Sequence, residues 1–189
     1  MADSAGQSAA ALRGTDRRHR PRTDSELICA TRAGSGAASE ALVDRHWDGA
    51  HRIAFAILGD PHLAEDVTQD AMVAMLAKIG RFDVRRPFAP WFHRIVANRA
   101  LDSARARARR EQIPRLVAPS IAAGGSDPHL VEALTTLPPD QRAVVVLRHV
   151  AGYGTNEIAG MLGIRRGTVG SRLRRGLDQL RRELEGDDG

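Results

Sequence analysis

The stretch 155–175, TNEIAGMLGIRRGTVGSRLRR, decides how the chain folds. It reads as a helix, a tight turn at Gly163 and a second helix with one dry and one basic face. On the second helix Val169, Leu173, Leu177, Leu180 and Leu184 recur at steps of four, four, three and four, the apolar stripe of a 3.6-residue period. That stripe predicts core. On the other side Thr168, Ser171, Arg172, Arg175 and Arg182 bring small hydroxyls and forked guanidinium groups together. A major groove admits one α-helix, whose early residues reach base edges while arginines and serines hold phosphates. The first helix, with Ile158, Ala159 and Leu162 inward, braces the second, and Gly163 turns the backbone without a Cβ penalty. The plainer alternative is a generic helical pair whose arginine face is only solvated. The pattern favours a helix-turn-helix that reads DNA.

Charge placement supports a polyanionic partner. The 189 residues carry 28 basic and 23 acidic side chains, a formal +5, and Lys78 is the single lysine. An arginine and alanine bias of this kind also follows from a GC-rich genome, so location discriminates better than the total. Seven arginines stand between Arg94 and Arg115 against Asp102 and Glu111, and seven between Arg165 and Arg182 against Asp178 alone. Two separated basic segments suggest two contacts with one nucleic acid.

Cys29 is the only cysteine, which leaves no intrachain disulfide and no cysteine-based zinc cluster. Its neighbours Leu27 and Ile28 predict a small buried thiol. No run approaches the roughly 18 apolar residues of a membrane span, and the polar N-terminus lacks the apolar core of a signal peptide. The expected location is the cytoplasm.

From these signals the expected fold class is all-α: two small helical domains joined by a flexible linker, the second containing the helix-turn-helix. Residues 1–23 are rich in Ala, Ser, Gly and Arg without hydrophobic period and read as a disordered arm. The first domain spans 24–109. A short helix capped by Asp24 or Ser25 runs to Ala33, and Gly34, Ser35 and Gly36 break it. A longer helix runs to Leu58, with Leu42, Val43, His46, Trp47, Ala50, Ile53, Ala54 and Ile57 on its inner stripe. Gly59 ends it, and Asp60-Pro61 caps and starts a third helix to Ile79. A loop from Gly80 to Pro90 leads into a fourth helix from Trp91 to Arg109, with Trp91, Ile95, Val96 and Leu101 buried. Residues 110–128, with three prolines and Gly124-Gly125, read as the linker. The second domain spans 129–184 and a short tail 185–189. Its run Ala143 to Leu147 is β-branched like a strand, but Pro139 at a helix start and the spacing of Val144, Leu147 and Val150 predict a helix.

Three stretches together carry a resemblance: GDPHLAEDVTQDAMVAML (59–76), PWFHRIVANRALDSAR (90–105) and LPPDQRAVVVLRHVAGYGTNEIAGMLGIRRGTVGSRLRRGLDQLRREL (137–184). In this order and spacing they resemble bacterial RNA polymerase sigma factors of the extracytoplasmic-function (ECF) class, over residues 24–184. The resemblance implies that Asp66, Gln69 and Asp70 dock on the clamp of the largest subunit of core RNA polymerase. Local charge agrees, since Asp60, Glu65, Asp66 and Asp70 face no base between them; an exposed acidic helix face with good dipole placement is the simpler alternative. It also implies that the loop and fourth helix open promoter DNA and trap an unstacked base of the minus-ten element through Phe82, Asp83, Arg85, Arg86 and Asn98. Extrusion costs a few kcal/mol that stacking and hydrogen bonds must offset. Arg94, Arg99 and Arg105 would hold phosphates. Arg165, Arg166, Thr168, Ser171, Arg172, Arg174 and Arg175 would read the minus-35 element.

Two departures from the resemblance are local. Gly170 stands where many relatives carry Lys or Arg, and Tyr153-Gly154 where they often carry Leu-Ser. The resemblance implies no cofactor and no catalytic residue, and it implies core RNA polymerase, promoter DNA and an anti-sigma protein as partners. Two other functions compete. A stand-alone helix-turn-helix regulator would act without polymerase docking, and a metal-dependent hydrolase would use His46, His51, His62, Asp66 and Asp70. His62, Asp66 and Asp70 do stack one turn apart, but no HExxH or adjacent His-Asp pair accompanies them.

Overall fold

A computed structural model describes residues 22–110 and 128–186. Every regular element among the described residues is helical: α1 (Asp24–Arg32), α2 (Gly36–Leu58), α3 (Pro61–Lys78), a 3₁₀ turn (Ile79–Arg81), α4 (Phe88–Arg110), α5 (Pro128–Thr136), α6 (Pro139–His149), α7 (Thr155–Leu162) and α8 (Arg166–Gly186). The arm before residue 22, most of the expected linker and the last residues lie outside the described set. No described helix is long and apolar enough to cross a membrane.

Local chemistry sets the helix ends. Thr23, not Asp24 or Ser25, caps α1: its hydroxyl accepts from Glu26 N while the Glu26 carboxylate accepts from Thr23 N at 2.7 Å. The Glu three residues after a threonine makes this reciprocal pair possible. Asp24 is thereby released to accept from Arg45 at 2.8 Å and to meet His46 at 3.1 Å. Asp60 caps α3 by accepting from His62 N and Leu63 N, with Pro61 in the first turn. Gly59 ends α2 at φ +68°, a left-handed conformation in which a Cβ is strained. Helix α4 starts at Phe88, earlier than the expected Trp91. Pro90 falls in its first turn, where the missing N–H has no intrahelical partner to lose.

The first half packs α2, α3 and α4 against one another, with α1 across α2. Leu42, Ile53, Ile57, Met75, Phe92 and Val96 are its fully buried centre. Val43, His46 and Trp47, placed on the inner stripe by periodicity, are only half-buried. From Ile53 to Leu58 every side chain is buried, which one amphipathic face cannot explain. The second half supplies the reason, because α5 and α6 pack against α2 as well. The run Val144 to Leu147 is buried for the same reason, as α6 sits among α2, α4, α7 and α8.

Ile95, expected to be buried, is half-buried as well, and two further expectations of burial fail. Cys29 is exposed: at about 100° per residue it lies on the opposite side of α1 from Leu27, which takes the core place. Trp91 is half-buried rather than core, because it walls a cleft between the two halves.

Candidate nucleic-acid interface

The α7–α8 pair has the geometry of a helix-turn-helix. Gly163 turns at φ +65°, its N–H donating to Ala159 O, and α8 follows from Arg166. Ile158 and Val169 are fully buried, Leu180 nearly so, and Leu173 and Leu177 pack against the same core. The Leu184 side chain lies outside the described set. Arg165, Arg166, Arg174, Arg175 and Arg182 are exposed, and Thr168 and Ser171 lie half-buried beside them. Ser171 Oγ donates to Thr168 O at 3.1 Å, which holds the hydroxyl along the helix. Arg172 departs from this face: it donates to Asp140 Oδ2 at 3.1 Å and its side chain is only 21% exposed.

The segment before and along α4 is built around aromatic rings. Phe82 is 6% exposed, with its ring 4.8 Å from Trp91 and 5.5 Å from Phe88. Burial makes Phe82 a support for Trp91 rather than a surface facing solvent. Arg32 of α1 fastens the loop from behind, donating to Ile79 O and Phe82 O. Asp83 accepts from the Arg85 side chain twice at 3.0 Å, a pairing that holds its carboxyl below the usual range. Arg86 and Arg94 are exposed. The cleft, of about 490 Å³, is walled by Trp91, Arg86 and Arg94 on one side and by Glu157, Gly160 and Met161 of α7 on the other.

Three further candidates on α4 are engaged within the molecule. Asn98 donates to Arg94 O at 2.7 Å and to Met161 O at 2.9 Å. Arg99 pairs with Asp70 at 3.4 Å, and Arg105 donates to Asp140 Oδ1 at 2.6 Å. On α3, Asp66, Gln69 and Asp70 are exposed on one ridge with Glu65, whose carboxylate accepts from Gln69 at 3.3 Å. Val73, one turn further, is 68% exposed and gives the ridge an apolar end. Among the described residues no three His, Cys, Asp or Glu side chains come together at metal-holding distance.

Several residues that shape the interface leave no mark in the sequence pattern. Asp140 reads as an ordinary first-turn acid of α6, yet it serves two arginines. Arg142 is 8% exposed and donates to Ile57 O, Thr135 O and Leu137 O. Tyr153 had a signal, since it is one of the two local departures from the resemblance, and it meets His93.

Comparison with known proteins agrees with this geometry. The profile of Sigma-70 region 2 matches residues 42–110, and that of Sigma-70 region 4 matches residues 129–180. The ECF RNA polymerase sigma factor SigM of Mycobacterium tuberculosis is 36% identical over 168 residues, covering 86% of this chain and 85% of that protein. This chain belongs to the ECF RNA polymerase sigma factors. SigE of Mycolicibacterium smegmatis is 35% identical over 153 residues, and the match spans 74% of this sigma factor and 59% of that longer relative. Among solved structures, CnrH in complex with the cytosolic domain of CnrY is similar at TM-score 0.64 and 26% identity, covering 87% of this sigma factor and 98% of that chain. The sigma factor RpoE of Bartonella quintana, in complex with the anti-sigma factor NepR, is similar at TM-score 0.63 and 25% identity, over 76% of this chain and 94% of that one.

Proposed function

We propose that this sigma factor binds core RNA polymerase and directs it to promoters through two separate DNA contacts, one in 24–109 and one in 129–184. The observation that carries the reading is the pairing of opposite surfaces in one chain: an acidic ridge at Asp66, Gln69 and Asp70, and an exposed basic helix face at Arg165, Arg166, Arg174 and Arg175. Like charge excludes the ridge from DNA and suits it to a basic protein surface. The helix face suits the minus-35 groove, with Thr168 and Ser171 short enough to sit near base edges.

Minus-ten capture falls to the loop and α4. Trp91, backed by buried Phe82, offers the stacking surface, and Arg85, Arg86 and Arg94 offer phosphate contacts. Asn98 has the donors and acceptor to read a base edge. The sigma factor acts by binding, and phosphodiester chemistry belongs to the polymerase, so its place of work is the cytoplasm where polymerase is. Both solved relatives are held by a protein partner, which supports an anti-sigma protein for this chain.

The test is run-off transcription with purified core polymerase on promoters selected by the reconstituted holoenzyme. The expected result is a defined transcript that requires both proteins and is lost with Asp66→Asn/Asp70→Asn. Tight operator binding by the free chain, with no association with core polymerase, would support the stand-alone regulator instead.

A further inference from the structure

The geometry points to α1 as a brace that sets the path of the base-capturing loop before DNA arrives, with Arg32 as the positioning residue and Ser25 as a second point of hold. The proposal rests on the sigma-factor reading above. Arg32 Nε and Nη2 donate to Ile79 O at 3.0 and 2.7 Å, and Nη2 donates to Phe82 O as well. Ser25 Oγ donates to Val84 O at 3.2 Å. One short helix thus grips the loop by its backbone, on both sides of Asp83.

Contacts to carbonyls fix where a chain runs, whatever its side chains do. Ile79 ends α3 and opens the 3₁₀ turn, in which its carbonyl accepts from Phe82 N at 3.2 Å. Arg32 adds a charged donor at the negative end of α3. Its planar fork meets two acceptors in one geometry, which a lysine ammonium on a flexible stem does not do. The rings carry that placement onward: Phe82 lies 4.8 Å from Trp91 and 5.5 Å from Phe88. A shift of the Phe82 backbone therefore shifts the ring that backs the stacking surface. Arg85 and Arg86 stay exposed, so the grip takes no DNA-directed side chain out of use.

The brace has its own anchorage. Leu27 and Ile28 are each 1% exposed, and Asp24 accepts from Arg45 of α2 and meets His46, whose ring lies 4.8 Å from Phe88. Arg32 and Ser25 are themselves exposed. Replacing them removes the grip and leaves the buried face of α1 in place. A loop already ordered when the unstacked base arrives avoids the ordering cost that binding would otherwise carry.

The experiment assembles holoenzyme from core polymerase and the full chain and compares two templates. One is a duplex promoter selected by the parent holoenzyme; the other has the same sequence with its minus-ten segment already unpaired by mismatches. For Ser25→Ala/Arg32→Ala, open complex on the duplex is expected to fall about tenfold or more, with Arg32→Lys between it and the parent. Transcription from saturating pre-opened template is expected to stay within about twofold of the parent, because the base is already unstacked. Duplex opening equal to the parent in the double variant overturns the brace. Equal loss on both templates overturns the positioning role and makes Arg32 an ordinary part of the fold. Full duplex activity of Arg32→Lys overturns the two-carbonyl fork as the means of hold. A parent chain that neither binds core polymerase nor yields a transcript from either template overturns the sigma-factor reading itself.

Discussion

His93 Nδ1 lies 2.7 Å from the hydroxyl of Tyr153, and the two rings meet edge to face with centroids 5.9 Å apart. Burial drives the His93 imidazole down to about 4, with His46 adding to the effect, and burial pushes the Tyr153 phenol up to about 12, with Glu157 adding. Both groups are neutral at pH 7. An exposed imidazole titrates near 6.5, so below that value the opened or unfolded chain takes up a proton that the packed chain refuses. The contribution of His93 to the packed state is complete above about pH 6.5 and falls away as pH drops toward 4. Melting temperature recorded from pH 7 to pH 4.5 is expected to fall more steeply for the parent chain than for His93→Phe. Parallel curves would show that His93 carries no such linkage.

Charge removal on the α3 ridge separates docking from stability. Asp66 and Asp70 are exposed, and the ion pair of Asp70 with Arg99 at 3.4 Å is a surface contact. Such pairs contribute about 0–1 kcal/mol. Asp66→Asn/Asp70→Asn is expected to melt within a few degrees of the parent while retention by immobilised core polymerase drops about tenfold or more. A large loss of melting temperature would place these carboxylates in the fold instead.

Gly170 is open to improvement. A Cβ there meets no heavy atom within 4 Å, and a mid-helix glycine costs about 1 kcal/mol relative to alanine. Gly170→Ala is expected to stabilise the chain by about that amount in urea titration. Gly170→Arg is expected in addition to steepen the salt dependence of minus-35 binding by the holoenzyme, by about one unit of log–log slope. An unchanged slope would put position 170 away from the phosphates.

Gly163 is the opposite case, with φ +65° and space around it. Strain alone opposes a side chain here. Gly163→Ala is expected to cost about 1 kcal/mol or more, and Gly163→Asn less, because asparagine tolerates the left-handed region. Melting curves of the three chains give the order directly.

Much of this was legible from residues because it is local. The stripe of α8, the turn at Gly163 and the Asp60-Pro61 start of α3 each follow from a few neighbouring side chains, and the structure has them where periodicity and capping put them. The cap of α1 falls at Thr23 because Glu26 stands three residues further on and closes the reciprocal pair, which leaves Asp24 to meet Arg45. Longer-range relations were not legible. Nothing near Asp140 announces Arg105 and Arg172, and nothing near Asn98 announces Met161. The run from Ile53 to Leu58 reads in the sequence as part of a single inner stripe, and only its unbroken burial against α5 and α6 reveals the second neighbour of α2.

The reach of Arg142 has a consequence for synthesis. Its hydrogen bond to Ile57 O spans 85 residues of sequence, and a ribosome adds about 5–20 residues per second. The carbonyl at the end of α2 therefore leaves the ribosome on the order of ten seconds before the guanidinium that will satisfy it. For that interval water is the only donor it can find, and the nascent first half carries a bare helix end until its own later sequence arrives to cover it.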